Sequence, residues 1–300
     1  MKASLSRSIS SAAHLPEQGK PSTPTRLQPN VRRLLLYITL IACSLLFLSP
    51  FLWMVSTSLK PSQEVFVFPP RLLPSSAQWH NYLDGWMALP FTRFLTNTIL
   101  VTVAAIIGNL VSCALPAYAF ARLRARGSRI AFMLMLATMM IPIEVTIVPI
   151  FLLYSKVHLI NTLWTLIIPP WLGYPFSIFL LRQSFLNLPR EMDEAARLEG
   201  ATHFQILTKI VLPLSKPALG AVAIIAFVGN WNNLLAPLIY LRSTDNYTLA
   251  IGLNLFYGQS LTAYNQLMAV SVLSILPIII TFFFAQRYFI RGVALTGMDR

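Results

Sequence analysis

The sequence is poor in charge: 11% of its 300 residues are Asp, Glu, Lys or Arg, where a soluble domain has about a quarter. With 56% apolar side chains and a mean hydropathy of +0.64, too little polar surface exists to wrap water-soluble cores of ordinary size. A lipid-embedded chain fits instead. Cysteine is nearly absent, and Cys43 and Cys113 both lie inside apolar runs, which excludes a disulfide framework of the secreted kind. The four histidines (His14, His80, His158, His203) are scattered, without H-E-x-x-H spacing or a cysteine partner, so no metal centre is expected. No G-x-S-x-G nucleophile elbow occurs. The sole Gly-Lys pair, Gly19-Lys20, precedes a proline and lacks the upstream glycine that a phosphate-cradling loop requires. The twelve glycines form no G-x-x-x-G helix-packing pair. The chain is expected to be no enzyme, with no cofactor or metal of its own.

What the sequence does contain is apolar runs long enough to cross about 30 Å of hydrocarbon, which takes roughly 20 residues. Six are expected, over Leu34–Leu59, Asn97–Ala121, Ile130–Tyr154, Thr162–Leu181, Pro217–Leu241 and Leu267–Phe289. Several contain prolines, which a membrane helix tolerates as kinks, and the Pro169-Pro170 pair weakens the fourth run most. The fold class expected is an all-α polytopic membrane protein whose membrane domain covers 34–291. The basic residues are distributed unevenly around these runs. Eighteen of the 23 fall before the first run, after the second, between the fourth and fifth, and at or beyond the end of the sixth, where Arg287 is followed by Arg291 and Arg300; only Lys60, Arg71, Arg93, Lys156 and Arg242 fall on the other side. The positive-inside rule then puts both termini in the cytoplasm of a multi-pass membrane chain. The net charge of +13 is accounted for by topology, and no clustered basic face with aromatic partners points to nucleic acid. Residues 1–33, rich in Ser, Pro and basic side chains, read as a disordered cytoplasmic tail rather than a cleaved signal peptide, and 292–300 read as a second tail.

Polar residues inside the runs are few. Glu144 carries a costly charge within the third run; it belongs to a translocation path or an interhelical network, or it stays hydrated beside a kink at Pro142. A lone carboxylate argues against ion coupling. Asn230, Trp231, Asn232 and Asn233 place three amides and an indole in the fifth run. Amides and aromatic faces suit a sugar path, and they equally suit ties between helices.

The most informative stretch is the polar loop 182–216. Pro189 followed by Glu191, Asp193 and Glu194 suits a helix start. Gly200 can take the left-handed conformation that ends it. Thr202 and Gln205 have capping-box spacing for a second helix, with Phe204, Leu207, Ile210 and Val211 on an apolar side and Pro213 at its end. Ala195 and Ala196 beside Gly200 leave a side-chain-poor surface that another protein can approach closely. Two short helices and a bend are expected, shaped as a docking knob.

Glu194-Ala195-Ala196, Gly200, Ile210, Leu212 and Pro213 resemble the cytoplasmic EAA motif of the membrane-spanning permease subunits of binding-protein-dependent ABC importers. That motif runs E-A-A, three residues, G, nine residues, then I-x-L-P. Glu199 stands where the family often has Asp. Further stretches are similar to the carbohydrate-uptake subgroup of the maltose-permease type: Ala117 to Arg122, Met140-Ile141-Pro142, Asn230 to Leu238, Met268-Ala269 and Gln286-Arg287. The tail Gly297-Met298-Asp299 departs from the subgroup's ending. The resemblance implies a non-catalytic gate in a bacterial inner membrane. It implies as partners two ATP-binding subunits under the coupling loop, a second homologous permease and an extracytoplasmic solute-binding protein, for which the segment Lys60–Arg93 with Trp79, Tyr82 and Trp86 offers a docking surface. A sugar is the expected solute, with polyols and glycerol phosphate as alternatives and an ion-coupled secondary carrier as the rival mechanism.

Overall fold

The computed structural model describes residues 29–259 and 263–294. The tail expected over 1–33 therefore lies outside the described residues up to residue 28, and so do residues 295–300 of the C-terminal tail. The chain divides into two units, one ending at Pro50 and the other beginning at Phe51. The first consists, among the described residues, of one helical stretch whose apolar side chains from Leu34 to Leu48 are exposed. A helix apolar all round and unburied is a lipid-facing helix. It belongs to α1 (Pro29–Ser58), which starts five residues ahead of the expected run.

The larger unit is helical and shows no strand among the described residues. After α1 the chain forms a short helix α2 (His80–Ala88) and then α3 (Phe91–Arg122), which starts six residues before its expected run. Next come α4 (Ser128–Ala137) and α5 (Ile143–Lys156). The third run is not one kinked helix: its halves, Ser128–Met140 and Ile143–Lys156, meet at 96°. Pro142 supplies no N–H and disfavours helical backbone at Ile141, whose ψ is 115°. The fourth run is α6 (Trp164–Trp171) and α7 (Pro175–Leu186), broken at Gly173, where φ is +96°. Both doubtful prolines sit inside α6, and the Pro170 carbonyl accepts a hydrogen bond from Ser112 Oγ at 3.0 Å. At the break, Cys113 Sγ accepts the Tyr174 N–H at 3.2 Å.

The loop helices α8 (Glu191–Leu198) and α9 (His203–Leu214) follow, and α9 meets α10 (Lys216–Trp231) at 80°. Sixteen residues of helix reach only about 24 Å, short of the hydrocarbon thickness. The fifth run is completed, after a break at Asn232–Leu234, by α11 (Leu235–Tyr240). The chain then forms α12 (Leu249–Gln259) and α13 (Tyr264–Ala294), the latter extending past the expected end at Phe289. α12 was not expected, because eleven residues are too few to register as a span. Among the described residues, four helices are long and apolar enough to cross a membrane, or six if each bent pair counts once.

α3 is the axis of this unit. Small residues let its neighbours close in: Trp171 of α6 lies where a Cβ on Gly108 would be, 2.3 Å away, and its Nε1 donates to the Ala104 carbonyl at 3.1 Å. At the other end Phe91 and Phe94 fill the space beside Gly252 of α12 and pack with Phe256 and Trp231. The loop after α1 is tied to both α2 and α13. Lys60 is buried, with Nζ 4.2 Å from the Trp53 ring centroid and donating to the Arg71 carbonyl at 2.6 Å. Its own carbonyl accepts from Asn81 and Asn265, both at 3.1 Å. Burial pulls the Lys60 pKa down, and nearby Glu64 opposes the shift.

Candidate functional site

The polar loop between α7 and α10 is built in the local order its residues dictate. Glu191, Asp193 and Glu194 occupy the first turn of α8, where carboxylates meet the positive end of the helix dipole. α8 starts at Glu191, just beyond Pro189, and stops in a complete Schellman motif. The Gly200 N–H donates to the Arg197 carbonyl and the Ala201 N–H to the Ala196 carbonyl, each at 2.9 Å, with Gly200 at φ +82°. Thr202 and Gln205 then close the expected capping box: the Thr202 N–H donates to Gln205 Oε1 at 2.8 Å and the Gln205 N–H to Thr202 Oγ1 at 3.3 Å.

Two details differ from expectation. Pro213 does not end the second helix, which runs one residue further to Leu214. A π turn over Leu207–Val211 precedes it, and the wider i→i+5 spacing removes the clash a proline ring makes with the carbonyl four residues back. The buried side is Ile206, Leu207 and Val211, while Phe204 is 66% exposed.

That buried side joins a core with Tyr118 and Ala121 of α3 and Leu181 and Phe185 of α7. The second loop helix is therefore packed into the membrane helices rather than hung beneath them. α8 is fastened by charge. Arg122, the last residue of α3, has its Nε 3.6 Å from Asp193 Oδ2, with both side chains almost fully buried, and its Nη2 donates to the Leu188 carbonyl at 2.9 Å. Tyr118 Oη lies 3.4 Å from His203 Nδ1. Elsewhere on the knob Ala195, Gly200 and Pro213 are exposed and Leu198 is 91% exposed; Glu194 is exposed and lines a concavity with Arg122 and Asp193, Ile210 is half-buried, and Ala196 and Leu212 are half-buried against the core. The knob is thus anchored on one side and exposed on the other.

A scan against family models matches residues 111–295 to the family described as binding-protein-dependent transport system inner membrane component. The chain belongs to that family. The match covers more than half of the permease, including the whole loop and the helices α4 to α13. Relatives extend the similarity to most of the chain. The arabinooligosaccharides transport system permease protein AraQ of Bacillus subtilis (strain 168) is 36% identical over 275 residues, 90% of this chain and 97% of that one. The sn-glycerol-3-phosphate transport system permease protein UgpE of Pectobacterium atrosepticum is 32% identical over 240 residues, 77% of this chain and 85% of that one. Among solved structures, a chain of a bacterial ABC transporter involved in the import of the acidic polysaccharide alginate matches with a TM-score of 0.77 at 26% identity, covering 89% of this permease and all of that chain.

The hydrogen bonds of the amides expected along a substrate path are local. Asn230 and Asn232 donate to carbonyls of their own helix, Ala226 and Val228, at 2.7 and 3.0 Å. Asn233 Oδ1 accepts the Ala236 N–H at 3.3 Å and so caps α11. These amides end one helix and start the next; the tie between helices is Trp231, whose Nε1 donates to the Ser274 carbonyl of α13 at 3.2 Å. Glu144 is exposed in the first turn of α5, directly after the 96° break, and among the described residues no hydrogen bond links it to the Asn230–Asn233 run. The Arg122–Asp193 pair was not anticipated. Its signal was present in the sequence as an arginine closing a long apolar run and an aspartate just before Glu194-Ala195, but nothing in either segment alone paired them.

Proposed function

We propose that this permease carries a sugar or a related polyhydroxylated solute inward, driven by ATP-binding subunits that dock on the exposed front of α8 and its bend. The observation that carries the reading is the asymmetry of the knob: a back locked to α3 and α7 through Asp193, Ile206, Leu207 and Val211, and a front left bare at Glu194, Ala195 and Leu198. Force applied to such a front is transmitted to the axis helix because the contact behind it is close-packed and not compliant. Glu194 makes the polar contact, and the Ala195-Ala196 surface lets the partner's backbone approach. The chain supplies no catalytic group; hydrolysis belongs to two ATP-binding subunits, a second similar permease completes the path, and a solute-binding protein delivers the solute to the side opposite the knob. Both termini are then cytoplasmic. The relatives named for arabinooligosaccharides and sn-glycerol-3-phosphate support a hydroxylated solute, and the latter keeps a phosphorylated polyol as the second reading.

Inside-out orientation is not needed to test this. In vesicles loaded with ATP and supplied with the binding protein, uptake of an arabinooligosaccharide or glycerol phosphate is expected to persist when uncouplers collapse the ion gradients and to stop with a non-hydrolysable nucleotide. Glu194→Arg is expected to abolish uptake while the chain still inserts. Uptake that follows the ion gradient, or that is unchanged in Glu194→Arg, contradicts the proposal.

A further inference from the structure

The loop joining α3 to α4 borders the knob at one end, where Leu123 and Arg124 line a concavity with Asp193 and Glu194. It carries Arg124 and Arg126, and Arg129 follows in the first turn of α4, with no acidic residue among them. With Arg182 of α7 and Ser128 at the start of α4 they line an open concavity of about 650 Å³. Among the described residues no carboxylate lies within ion-pair distance of any of these four guanidinium groups. Arg182 is held in place: its Nε donates to the Phe120 carbonyl at 3.2 Å, and its guanidinium carbon sits 4.2 Å from the Phe132 ring centroid. That contact pins the base of the fork by a cation–π interaction and leaves its outer N–H groups for a ligand. Gly127, at φ +81°, turns the chain into α4, where the Ser128 N–H donates to the Ala125 carbonyl at 3.2 Å and the Ala131 N–H to the Gly127 carbonyl at 3.0 Å. Uncompensated cations around a concavity call for an anion.

The same helix shows what kind of anion. From Ile130 on, the exposed residues Met133, Leu134 and Ala137 follow at helical spacing, so an apolar stripe begins within one turn of the arginines. A soluble phosphate would use the charges and not the stripe; an amphiphile uses both. We propose that this concavity binds the phosphate headgroup of an anionic phospholipid, with an acyl chain along the Ile130–Ala137 stripe. Guanidinium forks grip phosphate oxygens bidentately, which a lysine at the same place does not. The proposal rests on the membrane embedding of the chain and is independent of the ATP-driven reading, since lipid binding is measured without transport.

The test is native mass spectrometry of the full-length permease, with the subunits that co-purify, titrated with phosphatidylglycerol and separately with phosphatidylcholine. Phosphatidylglycerol is expected to bind at the lower concentration, and millimolar inorganic phosphate is expected not to displace it. The triple variant Arg124→Gln/Arg126→Gln/Arg129→Gln is expected to weaken binding on the order of 100-fold, from about fivefold per lost charge near a membrane surface. Because removing three arginines can also disturb insertion, Phe132→Leu is the second variant: it alters no charge, frees Arg182, and is expected to weaken binding severalfold. Equal binding of the two lipids, full displacement by inorganic phosphate, or unchanged binding in both variants overturns the proposal. So does crosslinking of Arg126 positions to a partner subunit in place of lipid.

Discussion

Arg122 and Asp193 form the contact on which the loop's position turns at the scale of single residues. Each is buried, and the pair is 3.6 Å apart, so removing one partner leaves the other charged and unpaired. Arg122→Met is expected to cost about 3–5 kcal/mol, and the double variant Arg122→Met/Asp193→Leu to restore most of that stability; thermal denaturation of the purified permease measures both. Gly200 is a different case. Nothing lies within 4 Å of the place a Cβ would occupy, and φ is +82°, so the cost of a side chain there is conformational and not steric. Gly200→Ala is expected to destabilise the bend by about 1–2 kcal/mol, with Gly200→Asn milder and Gly200→Val worse, and vesicle uptake should fall in the same order. Glu64 gives a pH dependence. Hydrogen bonding from Ser75, whose N–H donates to its carboxylate at 3.1 Å, and then the nearby Arg71 charge hold its pKa below the ordinary carboxylate value. A depressed carboxyl contributes stability above its unfolded value and loses it as pH falls through the lowered one. The Ser75 amide chemical shift is therefore expected to hold steady as pH falls through the ordinary carboxylate range and to move only at lower pH, and Glu64→Gln should remove the step.

At the scale of elements, the tightest approach is α3 against α6. A methyl on Gly108 would overlap the Trp171 ring, so Gly108→Ala is expected to cost about 1–3 kcal/mol and Gly108→Ala/Trp171→Leu to recover part of it, read by thermal stability in detergent. The elements also show what could be read from the sequence. The short loop helices were legible because their signals are local: a proline and three acids at the start of α8, Gly200 at its end, and the Thr202–Gln205 box four positions of chain wide. The long runs were legible from hydropathy, which fixes that a segment is buried in lipid but says nothing of its bends. Proline alone does not separate a kink from a break: Pro116 sits inside an unbroken α3, whereas Pro142 turns the chain by 96°. The difference lies in tertiary contacts that repair or abandon the freed carbonyls. The same limit hid the roles of Asn230 to Asn233, whose polar chemistry was visible but whose partners, carbonyls one turn back and the start of α11, depend on where α10 stops. Asp193 was read only as a helix-start carboxylate, because its partner is 71 positions away in the chain.

On the scale of the whole molecule, the described helices leave much apolar surface uncovered, as a membrane-embedded chain does. The axis helix α3 connects the two ends of the larger unit: Phe91 and Phe94 seat α12 and α13 at one end, and Arg122 holds the knob at the other. A displacement of the knob therefore acts on the helix against which most others pack. The account predicts that Ala195 touches an ATP-binding subunit in the assembled transporter. A photoreactive side chain introduced at Ala195, on the exposed face of α8, measures this directly when the assembly is irradiated in its native membrane. Crosslinks to a nucleotide-binding subunit, weakened or shifted when ATP is trapped, are the result the account requires; crosslinks to lipid or solvent alone, with no nucleotide-binding protein captured in either state, contradict it.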